Sequence, residues 1–311
     1  MARLGDTELD VSPLCLGGNV FGWTLDEEQS FAVLDAYREA GGNFIDTADV
    51  YGGRGAGPGF SEQIIGRWMA SRGNRDELVI ATKVGMSAAR RGLSAQTIAA
   101  ACEESLARLG TDRIDLYYAH KDDPDTPIEE TLVAFGTLIA EDKIRYAGAS
   151  NYSPQRLEQA LELGRQAELA SYVALQDQYN LMERSYEREL EPLCAAHGVE
   201  SVPYYGLASG FLTGKYRRGG PEVESPRAAA VLERYVNERG AAVLDALDEV
   251  SRAHSSGDAA VALAWLAAQP TVLAPIASAR TTAQLRELLA FAELKLTGEE
   301  LALLGAASAT S

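Results

Sequence analysis

The sequence predicts one α/β domain over residues 1–311, a (β/α)8 TIM barrel with a short N-terminal hairpin and long loops at its C-terminal face. Three observations lead there. Short apolar runs alternate with helical 3.6-residue periodicity about eight times. The length of 311 residues suits one such barrel, and no shift in composition marks a domain boundary. The competing architecture, a doubly wound open sheet, lacks its usual dinucleotide motif. Pro58 and Phe60 stand where G-x-G-x-x-G needs glycine.

The elements follow in order. Arg3 to Val11 reads as the hairpin, and Pro13 to Gly17 as the first barrel strand. The helix Glu27 to Ala40 leads to the strand Asn43 to Ile45. Ser61 to Ser71 is helical and Leu78 to Thr82 extended. The helix Ser94 to Leu109 precedes Ile114 to Ala119, and Pro127 to Glu141 precedes Ile144 to Ala149. Pro154 to Gln166 is followed by Tyr172 to Gln176, and Glu187 to His197 by Val199 to Tyr204. One long helix is expected from Ala228 to Ala253, then another from Ala259 to Ala268. Thr271 to Ile276 is the last strand and Thr282 to Phe291 the helix that closes the set. Two loops break this rhythm, the glycine-rich Gly52 to Gly59 and the long Leu207 to Pro226. Both follow strands, which in a barrel puts them on the catalytic face.

Composition narrows the function. A net charge of −17 repels nucleic acid and anionic membrane surfaces, so neither is an expected partner. The three cysteines, Cys15, Cys102 and Cys194, are widely spaced, which speaks against a disulfide framework or a zinc site and suits a reducing cytoplasm. Met1 to Asp10 has no apolar core of a signal peptide, and the longest apolar run, Ala259 to Ala268, is too short for a bilayer. No H-E-x-x-H or G-x-S-x-G occurs, so no metal is expected and acyl-serine chemistry is unsupported.

Four polar residues fall at or just beyond three consecutive strand ends: Asp46, Tyr51, Lys83 and His120. Barrel strand ends converge on one pocket. Tyrosine is a weak acid at neutral pH, and a neighbouring ammonium stabilises the phenolate and lowers its pKa. Lys83 could supply that charge, Asp46 could orient Lys83, and Tyr51 could then exchange a proton with a carbonyl oxygen. His120 could hydrogen-bond the same oxygen. Taken singly, each has a plainer reading: a turn cap, a solvated lysine, a packing tyrosine, a structural histidine. Asn19, Phe21 and Trp23, after the first strand, are candidate walls of a substrate pocket; for Trp23 simple packing is the competing reading.

Asn43-Phe44-Ile45-Asp46-Thr47-Ala48-Asp49-Val50-Tyr51-Gly52 with Ser61-Glu62 resembles a signature of the aldo-keto reductases. Ala81 to Gly85 resembles the family's lysine strand, and Ile114 to His120, continued by Asp123 to Glu130, its histidine strand. The likeness runs over nearly the whole chain. It implies that Asp46, Tyr51, Lys83 and His120 form the catalytic tetrad, with Tyr51 as proton donor. It also implies NADPH as cofactor, with NADH possible. Ser150, Asn151 and Gln176 would hold the nicotinamide carboxamide, and Tyr204 would stack on its ring. Leu207 to Tyr216, including Ser209, Gly210 and Lys215, would lie along the pyrophosphate. Ser278 and Arg280 would bind the 2′-phosphate, and Gln284 would lie near the adenosine. Two departures stand out: Glu287-Leu288 where Glu-Asn is common, and Tyr205-Gly206 where many members have Ser-Pro.

The leading expectation is therefore an NADPH-dependent reductase of aldehydes or ketones, its partner a small carbonyl or alcohol compound. The alternative is a cofactor-binding sensor or regulatory subunit on the same fold. A glycosidase using two carboxylates is weaker, because a cation beside Asp46 lowers its pKa and makes it a poor shared acid. Substrate identity, reaction direction and oligomeric state are not written in the motifs.

Overall fold

A computed structural model of the chain describes residues 1–52, 57–167 and 169–309. Eight parallel strands form the central sheet: β1 (Cys15–Gly17), β2 (Phe44–Asp46), β3 (Val79–Val84), β4 (Ile114–Ala119), β5 (Ile144–Ser150), β6 (Tyr172–Gln176), β7 (Glu200–Ser201) and β8 (Ile276–Ala277). Each neighbours the next, and β8 returns to β1. The ring closes where Leu273 N donates to Ser201 O and Ile276 N to Pro203 O, both at 2.9 Å. The last two strands are shorter than the apolar runs that announce them. Pro203 and Pro275 have no N–H to give and interrupt the ladder there.

The helices are α1 (Glu27–Glu39), α2 (Phe60–Arg72), α3 (Ala95–Leu109), α4 (Ile128–Ala140), α5 (Pro154–Gln166), α6 (Tyr186–His197), α7 (Ala228–Tyr235), α8 (Glu238–Ala253), α9 (Asp258–Ala267), α10 (Thr282–Leu289) and α11 (Gly298–Ser308). Five start at carboxylate or hydroxyl caps: the side chain of Asp26, Ser94, Ser153, Thr281 and Thr297 accepts from a first-turn N–H. The single helix expected over 228–253 is two. Asn237 caps a new start by accepting from Gly240 N at 2.9 Å, and a Cβ on Gly240 would lie 1.9 Å from Tyr235 O. Helix α11 has no counterpart in the expected set, although Thr297 and Glu300 form a capping box that announces it. A small hairpin, Met86–Ser87 with Arg90–Arg91, also goes beyond that set. Of the glycine-rich loop, residues 53–56 lie outside the described residues.

Strand periodicity places the site. Successive side chains alternate between the barrel interior and the helical shell. Val79 and Ala81 pack inside with Phe44, Leu116, Tyr118, Ala174 and Val202, while Ile45, Ile80 and Tyr117 pack against helices. Continuing each interior series by two residues brings Asp46, Lys83, His120 and Gln176 to the upper rim. The N-terminal hairpin, Ala2–Arg3 with Asp10–Val11, closes the opposite end, where Leu4, Leu9 and Val11 join the interior cluster.

Candidate active site

Lys83 is 0 % exposed, yet its ammonium is fully engaged. Nζ donates to Asp46 Oδ2 at 2.7 Å and to Thr47 O at 2.8 Å, and stands 3.4 Å from the Tyr51 hydroxyl. The second Asp46 oxygen accepts from Gln176 Nε2 at 2.8 Å. A buried ion pair holds only when its remaining hydrogen-bonding capacity is met, and here it is. The His120 ring meets the Tyr51 ring edge-on with centroids 6.0 Å apart.

The residues around Tyr51 hold its loop to α2. Ser61 N donates to Tyr51 O at 3.1 Å, Ser61 Oγ to Gly18 O at 2.8 Å, and Thr47 Oγ1 to Ser61 Oγ at 2.8 Å. Glu62 accepts from Thr82 Oγ1 and Arg108 Nε, both at 2.6 Å. The short sequence around Tyr51 is thus largely a buttress that fixes one hydroxyl relative to one ammonium.

Burial works against the Lys83 charge, but Asp46 and then Tyr51 outweigh it, so the ammonium binds its proton more tightly than an ordinary lysine. Burial lifts the Tyr51 hydroxyl above the usual tyrosine value, with Lys83 pulling the other way. This corrects the expectation of a lowered Tyr51: at 3.4 Å the ammonium is mostly committed to Asp46 and Thr47, and desolvation wins. Burial, and then the Lys83 charge, push His120 down to about 3, so its imidazole is neutral. Its Nδ1 is buried with no partner among the described residues. A protonated phenol, a fixed cation behind it and a neutral imidazole beside it can together hydrogen-bond one oxygen and hand it a proton.

Above this group lies a cavity of about 740 Å³. Asp46, Tyr51, His120, Ser150, Asn151, Gln176, Tyr204, Leu207, Ser209, Gly210, Lys215, Ser278, Arg280 and Gln284 all line it, as do Asn19 and Trp23. Lys83 sits behind its wall. Phe21 does not line it: after the turn Gly18–Val20 its side chain enters the core and is wholly buried, which corrects its place as a pocket wall. Tyr204 OH donates to Asn151 Oδ1 at 2.8 Å, and Asn151 Nδ2 donates to His120 O at 2.9 Å. Ser278 Oγ donates to Gly17 O at 2.7 Å and lies 2.8 Å from Asn19 Oδ1, and Gln284 Oε1 accepts from Arg280 N at 2.9 Å.

The cavity gathers cations in a chain of strongly negative net charge. Lys215, Arg227 and Arg280 line it, and burial, then Arg280 and Arg227, depress the Lys215 pKa. Mutual repulsion of that kind fits an anionic guest, and phosphates carried by a dinucleotide match this donor set. The motifs gave no sign of Arg227 or Met86 as cavity residues, and marked Tyr205 only as a departure from the common Ser-Pro. They lie between the barrel strands and helices, where the eightfold periodicity carries no information.

The sequence profile of the Aldo/keto reductase family matches residues 13–309. The chain belongs to that family. It is 36 % identical to an uncharacterized oxidoreductase, YrpG, of Bacillus subtilis, over 97 % of this chain and 93 % of the other. It is 34 % identical to a probable voltage-gated potassium channel subunit beta of Oryza sativa, over 92 % of this chain and 88 % of the other. It is 30 % identical to an aryl-alcohol dehydrogenase [NADP(+)] of Phanerodontia chrysosporium, over 94 % and 81 %. As a member of the aldo/keto reductases the protein is an NAD(P)H-dependent oxidoreductase built on a (β/α)8 barrel. Among the described residues no helix is long and apolar enough to cross a membrane.

Proposed function

We propose that this single-domain barrel reduces an aldehyde or ketone to the alcohol with NADPH, and that Asp46, Tyr51, Lys83 and His120 carry the chemistry. The observation that carries this reading is the buried Lys83 ammonium, held by Asp46 at 2.7 Å and lying 3.4 Å from a tyrosine hydroxyl at a cavity floor. NADPH supplies the hydride when bound. Tyr51 keeps its proton at neutral pH and gives it to the carbonyl oxygen as negative charge develops there. Lys83 stabilises the phenolate left behind. Asp46 fixes Lys83, and Gln176 fixes Asp46. His120, being neutral, orients the carbonyl by hydrogen bonding and does not compete as the acid.

Asn151 and Ser150 are suited to the carboxamide of the nicotinamide, with Tyr204 covering its ring. Lys215, Ser278 and Arg280 are suited to its phosphates, with Gln284 near the adenosine. The NADP(+) in the name of one relative supports NADPH over NADH.

The test is NADPH oxidation with a panel of aldehydes and ketones, beside Tyr51→Phe. The variant is expected to bind NADPH as wild type does and to lose turnover by about 10²–10⁴-fold. Tight NADPH binding without turnover by wild type would favour the role of a sensor or regulatory subunit; one relative is named a probable channel subunit. No binding of either nicotinamide cofactor would remove the proposal.

A further inference from the structure

The short hairpin Met86–Ser87 with Arg90–Arg91 follows directly on β3, the strand that carries Lys83. Its neck is closed by two glycines of positive φ, Gly85 at +110° and Gly92 at +89°, and Gly92 N donates to Gly85 O at 3.0 Å. Successive side chains of the hairpin point to opposite faces. Met86 stands in the wall of the cavity that reaches Tyr51. Arg90, paired with Ser87 on the other face, gives both Nε and Nη2 to Glu104 Oε1 of α3, at 2.9 and 2.7 Å.

Asp123 holds this neck from the loop that follows His120. Its Oδ2 accepts from Leu93 N at 2.8 Å and from Thr126 Oγ1 at 2.6 Å, and its Oδ1 from Asp125 N at 3.2 Å. Gly92 permits that approach, since a Cβ there would lie 2.7 Å from Asp123 Oδ2. Burial works against the Asp123 charge, but Thr126, then Leu93 N and Asp125 N, outweigh it and hold the carboxyl below its ordinary value. The segment that carries Asp123 is itself anchored. Arg156 forks onto both Asp122 oxygens at 2.9 Å and also donates to Asp123 O at 3.2 Å. His120 N donates to Val84 O at 2.9 Å, so the neck, the end of the Lys83 strand and the His120 segment form one connected unit.

We propose that residues 86–91 form a flap over the substrate side of the cavity, and that Asp123 is the positioning residue that latches it. The proposal rests on the reductase reading of this cavity. In that reading the groups suited to the cofactor come from positions after β5, β6, β7 and β8, whereas the flap follows β3 beside Lys83. With the latch made, Met86 is fixed in the cavity wall. With the latch broken, the two glycines let the hairpin turn away from the cavity. Substrate then loses a wall, and NADPH does not.

Trypsin reads the flap without turnover, because cleavage after Arg90 or Arg91 follows the population in which the hairpin has opened. Asp123→Ala is expected to be cut there about 10-fold faster than wild type, and Asp123→Asn, which keeps a carbonyl oxygen for Leu93 N, within about 2-fold of it. Should the alanine variant fail to fold, Thr126→Val, which takes one donor from the same oxygen, is expected to be cut about 3-fold faster. NADPH oxidation with benzaldehyde runs alongside. In Asp123→Ala the KM for benzaldehyde is expected to rise about 10-fold, with kcat and the Kd for NADPH within about 2-fold of wild type, and Asp123→Asn restores it. Cleavage no faster than wild type in the folded variants overturns the flap. So does a benzaldehyde KM that stays put, or one that moves together with the Kd for NADPH. Faster cleavage without oxidation by wild type supports the latch and sinks the reductase reading; oxidation with unaltered cleavage does the reverse.

Discussion

Burial disfavours the Lys83 charge, and Asp46 first, then Tyr51, more than offset it. The same competition has a different winner at Asp49, two residues before Tyr51. Asp49 is 5 % exposed, and neither carboxylate oxygen has a partner among the described residues. Burial first, then Glu62, push it up to about 7, with Arg108 and Lys83 opposing. Unfolded, it is an ordinary carboxyl near 3.8. Between those values the native state keeps a proton that the unfolded state has released. Stability therefore falls as pH rises from about 4 to about 7, at up to about 1.4 kcal/mol per pH unit, and the penalty is complete above that window. Asp49→Asn is expected to melt above wild type at about pH 8 and level with it near pH 4, followed by thermal unfolding at a series of pH values. A gap that does not widen with pH would mean that this carboxyl titrates normally.

At the scale of elements, the break between α7 and α8 is the instructive case. Apolar periodicity runs through residues 228–253, so the pattern reads as one helix. The chain nevertheless stops and restarts, because Asn237 offers a cap and Gly240 allows the closest approach to Tyr235 O. Asn237→Ala should cost about 1 kcal/mol, seen as a lower urea midpoint, whereas Asn237→Ser should keep most of it. An unchanged midpoint in the alanine variant would leave the break to Gly240 alone. The α11 helix shows the opposite lesson. Its capping box is plain in the sequence, but the segment follows the last barrel helix, where the eightfold rhythm gives no reason to expect another element. Tertiary contacts secure its end: Arg239 donates to Ser308 O at 2.7 Å, and Arg184 to Gly305 O at 2.8 Å.

At the scale of the whole molecule, the barrel interior is filled and leaves little slack. A Cβ on Gly148 of β5 would lie 2.5 Å from the Tyr118 ring of β4. Gly148→Ala is expected to cost about 1–3 kcal/mol in thermal unfolding. Wild-type stability in that variant would mean that the two strands move apart freely. The sequence by itself determined the alternation of strands and helices, and period two along each strand then put Asp46, Lys83, His120 and Gln176 on the interior face at the same end. It also carried the family signature, because the residues that buttress Tyr51, Thr47, Ser61 and Glu62, are local in the chain. Only the tertiary structure decided which groups sense one another: the balance of burial against charge at Tyr51, His120 and Asp49, and the inward turn of Phe21. It alone brought Trp23, Met86, Tyr205 and Arg227, far apart in sequence, to one cavity. Periodicity is a property of repeating backbone and is readable along the chain. Desolvation and loop convergence depend on neighbours far apart in sequence, and those exist only once the barrel has closed.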